Sequence, residues 1–264
     1  MRALSVHADL IVFISRYWQT TCTAVRAGDE GFVIDSPVYP DELEALGGVL
    51  EQAAFPVSGL LTTHADWDHL LGRIAFPEAS LGCGESTARR LLAEPGQAQR
   101  ELREFDEEQY IDDRPPLSLG GIQSLPVPGK LSIGPEERGH ELELHAADGH
   151  TPDGTAYVIP WLDVLVCGDY LSPVEIPWIS PGGSAEAYLA TLERLRELVE
   201  RTRTVIPGHG RPQSREEALG ILDEDVAYLD ALIGQGADAP LPAGRRTGAQ
   251  RRIHEQNVAT RRPS

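Results

Sequence analysis

Short apolar runs, separated by longer mixed stretches, set the rhythm of this chain. Residues 10–15, 22–26 and 31–35 have the compact apolar character of buried strands, and 57–61 repeats it. Leu43, Leu46, Leu50 and Ala53 recur at helical spacing and predict a helix over 41–53. Further helices are expected over 85–93 and 97–107, parted by the Pro95-Gly96 break, and another beginning at Leu70. Residues 111–139 are rich in Pro and Gly and hold short strand-like pieces such as 122–127. The second half returns to the same rhythm. Residues 142–145, 155–159, 164–167 and 204–206 read as strands. Leu189, Leu192, Leu195, Leu198 and Val199 give a helix over 185–200 its apolar face, and a last helix is expected over 215–232. Strands and helices alternate through two similar halves, which predicts an α/β protein. No short sequence repeat is visible.

Candidate chemistry sits where these runs end. The segment Thr63-His64-Ala65-Asp66-Trp67-Asp68-His69-Leu70 follows the 57–61 run and holds four potential metal ligands in six positions. Residues two apart in an extended segment project to similar sides, so His64, Asp66 and Asp68 can crowd together while His69 points elsewhere. Imidazole nitrogens and carboxylate oxygens suit zinc, iron or manganese. Three later segments each put one ligand-type side chain at a strand end: His150 in Asp148-Gly149-His150-Thr151-Pro152-Asp153-Gly154, Asp169 in Cys167-Gly168-Asp169, and His209 in Pro207-Gly208-His209-Gly210. Such ends form the rigid rim on which sites are built.

Taken together, these segments resemble the metallo-beta-lactamase fold family, whose signature is His-x-His-x-Asp-His, a Gly-His-Thr-Pro-Gly-like loop, a Gly-Asp and a Gly-His. The matching residues are His64, Asp66, Asp68, His69, His150, Asp169 and His209, and Ile34-Asp35-Ser36 is similar to the family's early strand ending in aspartate. The resemblance runs from about residue 10 to about residue 232. It implies a four-layer αβ/βα sandwich, two mixed sheets flanked by helices. It also implies a metal-dependent hydrolase, with His64, Asp66 and His150 on one ion, Asp68, His69 and His209 on a second, and Asp169 between them. Metal-bound water would then attack an ester, thioester or lactone carbonyl. Asp68 is the candidate proton acceptor. Tyr170 is a candidate oxyanion donor, against the plainer role of a packed tyrosine at a strand end.

One position departs from the signature: Asp66 stands where the family carries histidine. Three carboxylates, two divalent cations and one hydroxide sum to a neutral cluster, more anionic than the usual set. Zinc is the expected metal, and the harder donor set admits iron or manganese. Asp66 could instead give up its metal position and leave a single ion. A mononuclear iron oxidoreductase similar to the persulfide dioxygenases would need only His64, His150 and Asp169. A metal-poor binding protein that has lost catalysis is the third alternative.

Charge and cysteine usage narrow the partners. Acidic residues outnumber basic ones by 41 to 23, for a formal charge of −18, which repels phosphate backbones and anionic membranes. A small-molecule substrate is expected, with no nucleic acid and no membrane. Cys22, Cys83 and Cys167 are odd in number and widely spaced, and the N-terminus lacks the marks of an export signal, so a cytoplasmic protein is expected. The rim loop 173–183, with Trp178, suggests a substrate with an apolar portion. Arg211 is expected in a surface ion pair and Trp67 as a plug over the ligand loop. The catalytic domain is assigned to 1–235. The remaining 236–264 carries Arg245-Arg246, Arg251-Arg252 and Arg261-Arg262 and is expected to be a largely solvated tail.

Overall fold

The computed structural model describes residues 1–134 and 139–260. Seven strands form the first sheet, with spatial order equal to chain order: β1 (Arg2–His7), β2 (Leu10–Ile14), β3 (Thr21–Ala27), β4 (Glu30–Asp35), β5 (Gly59–Leu61), β6 (Leu81–Gly84) and β7 (Gln123–Leu125). Six form the second: β8 (Gly129–Ile133), β9 (His140–Ala146), β10 (Thr155–Ile159), β11 (Val164–Val166), β12 (Thr204–Ile206) and β13 (Gln213–Ser214), laid out in the order β13-β12-β11-β10-β9-β8. Both sheets are mixed. The β4–β5–β6–β7 and β11–β12 pairings are parallel and the remaining pairings antiparallel.

The two-residue period of the strands divides the core into layers. Leu10, Val12 and Ile14 of β2, with Val25, Ile34 and Leu61, face Leu142, Leu144, Tyr157, Ile159, Val164, Val166 and Ile206 across the gap between the sheets. The alternate residues Phe13, Cys22, Ala24 and Val33 face outward onto α1 (Pro40–Gln52) and α4 (Gln97–Gln109), meeting Leu43, Leu46, Leu50, Leu102 and Phe105. On the far side Ala156, Val158, Leu165 and Val205 meet α5 (Ala185–Glu200) and α6 (Arg215–Gln235) through Tyr188, Leu192, Leu195, Leu222 and Leu229. The result is the expected four-layer sandwich.

Most predicted elements lie within a residue or two of those observed, and α3 (Glu85–Ala93) and α5 match their predicted spans. Three departures matter. The helix expected from Leu70 is a 3-10 turn (Trp67–His69) and a single turn, α2 (Gly72–Ala75). Phe76 precedes Pro77, which disfavours helical backbone there and stops it. Strand β1 was unforeseen: five of its six residues are exposed, so it lacks an alternating pattern.

The third departure is a correction. The C-terminal segment is not a solvated tail, for residues 248–260 form α7 (Gly248–Thr260), which lies against the second half. Helical patterning did not reveal it because its buried residues are the amides Gln250 and Asn257. The Arg261-Arg262 pair lies outside the described residues. No described helix is long and apolar enough to cross a membrane.

Candidate metal centre

The candidate ligands stand at the ends of strands from both sheets, along one edge of the sandwich. His64, Asp66, Asp68 and His69 follow β5, His150 lies in the β9–β10 connection, Asp169 follows β11 and His209 follows β12. The halves are tied together beside them. Thr155 N–H donates to the Thr63 carbonyl at 2.8 Å and the Tyr157 hydroxyl to the Thr62 carbonyl at 2.8 Å.

All seven side chains converge. Asp169 is at the centre: its Oδ2 is 3.2 Å from His150 Nε2, 3.2 Å from His209 Nε2 and 3.7 Å from His64 Nε2, and its Oδ1 is 3.2 Å from His69 Nε2. Asp66 Oδ2 lies 3.7 Å from His64 Nε2 and 3.6 Å from His150 Nε2. Asp68 Oδ2 lies 3.6 Å from His69 Nε2 and 3.8 Å from His209 Nε2. Three groups have donor atoms mutually within 4.8 Å, so each can hold a metal ion: His64–Asp66–His150, His64–His69–Asp169 and Asp68–His69–His209. The first and last follow the division expected from the sequence, with Asp169 between them.

Each imidazole is aimed from behind. Thr63 Oγ1 donates to Asp35 Oδ2 at 2.9 Å, so it accepts from His64 Nδ1–H at 3.0 Å. His69 Nδ1 lies 3.0 Å from Asp35 Oδ2. Nδ1–H of His150 donates to the Trp178 carbonyl at 2.7 Å, and that of His209 to the Trp18 carbonyl at 3.2 Å. The Nδ1–H of His64, His150 and His209 is thereby held, while His69 Nδ1 sits beside Asp35 without forming a hydrogen bond among the described residues; all four Nε2 atoms face the centre. Asp35, at the end of β4, accepts from Thr63 N–H and Oγ1 and lies beside His69 Nδ1, so it braces the ligand loop from behind. Within the protein, the buried His64, His69 and His150 Nε2 atoms and Asp169 Oδ1 have no hydrogen-bond partner. Buried polar atoms are rarely left so. Orphaned nitrogens and oxygens converging on one point fit a divalent cation by position and donor type.

The electrostatics agree. Burial alone would lower the pKa of His150, but Asp169 and Asp66 outweigh it and push it up to about 10. Burial likewise opposes the charged form of His209, and Asp169 and Glu175 raise it to about 10. His69 is raised well above its ordinary value against burial by Asp68, Asp169 and Asp35. Only His64 is lowered, by burial and by neighbouring His69. The carboxylates therefore create a field that favours positive charge at the centre.

A residue the sequence reading missed changes the account of Asp66. Arg90 of α3 places Nη1 2.8 Å from Asp66 Oδ1 and 2.8 Å from Asp153 Oδ1, while Asp153 Oδ2 accepts the Ala65 N–H at 2.9 Å. Asp66 thus presents one oxygen inward and gives the other to a guanidinium. Burial would raise its pKa, but His150, His64 and Arg90 together hold it well below the usual carboxylate range. Arg90 and Asp153 belong to the same network with opposite charges, so they leave the sum of the cluster unchanged. An unexplained carboxylate at a histidine position was the available signal, for such a group needs a cation nearby.

Tyr170 is not placed to stabilise an oxyanion. Its hydroxyl accepts the His150 backbone N–H at 3.0 Å, donates to the Ala147 carbonyl at 3.2 Å, and is buried. Its proton is committed to fixing the His150 loop. Trp67 packs on Phe105, with ring centroids 4.8 Å apart, as a plug beside the ligand loop. Arg211 pairs with Glu217 at 2.6 Å. Cys22, Cys83 and Cys167 are buried free thiols, and burial raises the pKa of each.

Over the centre opens a cavity of about 400 Å³, walled by Trp18, Trp67 and Trp178 and bordered by Arg90, Glu94 and Glu101. Trp18 and Gln19 both have left-handed backbone, with φ of 48° and 55°, an unusual pair for residues other than glycine. This turn sends the Trp18 carbonyl to His209 and leaves its indole in the cleft. On the other side of Trp18 and Trp178, a second cavity of about 250 Å³ is lined by Ala249, Arg252 and Ile253 of α7.

Comparison with known proteins agrees with this geometry. The chain is similar in fold to a metallo-beta-lactamase family protein from Thermus thermophilus, with 19% identity over 97% of this chain and 92% of that one and a TM-score of 0.67. It is also similar to the stereoselective inverting sec-alkylsulfatase Pisa1 from Pseudomonas sp., with 13% identity, 98% of this chain covered and a TM-score of 0.69, although the chain spans only 49% of that protein. A third likeness, at 21% identity over 79% of this chain and 96% of the other and a TM-score of 0.59, is to TTHA1623 in a di-iron-bound form. At these identities the likeness is one of fold. No curated protein matches the sequence. The model of the metallo-beta-lactamase superfamily matches residues 16–209, nearly three quarters of the chain, and the chain belongs to that superfamily.

Proposed function

We propose that this protein is a metal-dependent hydrolase with a dinuclear centre that cleaves an ester, thioester or lactone bond in a small molecule. The observation that carries it is the convergence of imidazole Nε2 atoms, each aimed from behind and three of them orphaned, around the Asp169 carboxylate. Two divalent cations bound there would supply Lewis acidity and an acidified water. Of the chain's own groups, Asp68 borders the cleft and accepts a hydrogen bond from Thr20 Oγ1 at 3.4 Å, a placement suited to receiving a proton. The indoles of Trp18, Trp67 and Trp178 give an apolar portion of the substrate a surface to lie on and exclude water from it.

Zinc is the leading metal. Iron is the second candidate, for the donor set of imidazoles and carboxylates suits it as well. A mononuclear iron centre on His64, His150 and Asp169 would leave Asp68, His69 and His209 gathered without a purpose. A metal-poor binding protein would have no reason to keep three orphaned imidazole nitrogens. We place the protein in the cytoplasm on the strength of its free thiols. Elemental analysis of protein purified without added metal, with a panel of ester, thioester, lactone and phosphoester substrates, tests the proposal. About two ions per chain and turnover lost in Asp68→Ala and His69→Ala with the fold retained are expected. One iron per chain and oxygen uptake with a persulfide would overturn it.

A further inference from the structure

The loop after β11 runs from residue 172 to 180 without helix or strand, so its backbone groups need partners. The C-terminal segment supplies them. Ile176 N–H donates to Gln250 Oε1 at 2.7 Å, and Gln250 Nε2 donates to the Val174 carbonyl at 2.7 Å. Asn257 repeats the pattern: Ile179 N–H donates to its Oδ1 at 2.8 Å, and its Nδ2 donates to the Pro177 carbonyl at 2.7 Å. Arg245 Nη1 donates to the Glu175 carbonyl at 2.7 Å and to that of Ser172 at 3.2 Å. The Arg245 charge is answered from α6 by Asp225 at 2.7 Å and Glu224 at 3.0 Å. Gln250 and Asn257 are seven positions apart, two turns of α7, so both amides leave the same face. Both are buried, at 4% and 0% exposure. Each amide pairs one N–H and one C=O of the loop, as a neighbouring strand would.

This loop also aims two histidines of the centre. Trp178, whose carbonyl accepts from His150 Nδ1, lies between Pro177 and Ile179, the two residues tied to Asn257. Ser180 N–H donates to the His150 carbonyl at 2.9 Å, and Ser172 Oγ donates to the His209 carbonyl at 2.9 Å. From α7 to the centre there is one unbroken chain of contacts: Asn257, the 177–179 backbone, the Trp178 carbonyl, His150.

We infer that Gln250 and Asn257 are positioning residues for the metal centre: they clamp the loop that points His150 Nε2 at Asp169 and Asp66. This rests on the metal-centre reading above. Groups that hydrogen-bond a metal ligand directly set its orientation, and losing one typically lowers metal affinity about 10- to 100-fold. The Trp178 carbonyl is that group for His150, and Asn257 holds it from one step further out, so losing the amide should cost less, up to about 10-fold. The C-terminal helix is then a component of the site, although it carries none of the candidate ligands.

The test uses the full chain with metal removed. Wild type, Asn257→Ala, Gln250→Ala and, as a control on the exposed side of α7, Glu255→Gln are titrated with cobalt(II) against a competing chelator, following the visible spectrum. Amide exchange at Ile176 and Ile179 is measured on the same proteins. Wild type and Glu255→Gln should behave alike. Asn257→Ala should bind one of its cobalt ions more weakly, by up to about 10-fold, with an altered spectrum, and exchange faster in the loop while α5 stays protected. If Asn257→Ala does not fold, Gln250→Ala at the other end of the clamp carries the same expectation. Folded variants that bind cobalt as wild type does would overturn the clamp alone. A wild type that takes up no cobalt would overturn the metal-centre reading and the clamp with it.

Discussion

Arg90→Met is the most informative single change the structure suggests. The guanidinium holds two carboxylates at 2.8 Å, Asp66 and Asp153, and a third, the more exposed Glu94, at 3.2 Å. Its side chain is 14% exposed, Asp66 17% and Asp153 1%. Methionine keeps much of the apolar stem and removes the charge, leaving Asp153 buried without its partner. Breaking a buried pair from one side costs about 3–5 kcal/mol, and Asp153 is the member least able to recover water. At about 2–4 °C per kcal/mol for a chain of this size, the melting temperature should fall by roughly 10 °C. Urea unfolding of metal-stripped protein reads the energy directly, and cobalt titration reads the effect on the centre. The cost should shrink only in part in an Asp66→His background, because Asp153, the most buried partner, still loses its cation there. Asp66→His by itself should not improve the protein, since Arg90 would face an imidazole in place of a carboxylate. A loss under about 0.5 kcal/mol for Arg90→Met, the range of an inert surface change, would refute the reasoning.

Other outcomes follow from the same geometry. A Cβ at Gly208 would collide with Asp169 Oδ1, so Gly208→Ala should displace the central carboxylate and reduce metal content, measured by elemental analysis, with little change in circular dichroism. Tyr170→Phe removes the acceptor of the His150 N–H; it should cost about 1–3 kcal/mol in denaturant unfolding yet leave more activity than loss of an oxyanion donor would. His150 and His209, raised to about 10, carry protons at neutral pH in metal-free protein, and a cation on Nε2 must displace them. Metal uptake should therefore release protons and tighten as pH rises toward about 10. Calorimetry in two buffers of different ionisation enthalpy measures that release, and no dependence on the buffer would contradict the raised values.

The fold was legible where burial is periodic. Leu10, Val12 and Ile14 alternate with Phe13 because the two faces of β2 meet different layers, and that alternation can be read without coordinates. The site was legible because its ligands follow apolar runs, and strand ends are where a sheet can offer side chains to a cleft. What stayed hidden depends on distance in space. Arg90 is one of two adjacent arginines on α3, and only the folded chain shows which one reaches Asp66. The Trp178 and Trp18 carbonyls hold their histidines through backbone atoms, which no side-chain pattern records. Helix α7 turns amides inward, the reverse of the pattern by which a docked helix is recognised.

Those two tryptophans divide their labour in a way that bears on how this cleft could change. Each steadies a histidine with its carbonyl, an atom every amino acid possesses, and presents its indole to the open space above. Another residue at position 18 or 178 could reshape the cleft and still supply the same oxygen, provided the backbone keeps its course. Selectivity and ion-holding are thus encoded in different atoms of the same residues, and the first can drift while the second stands still.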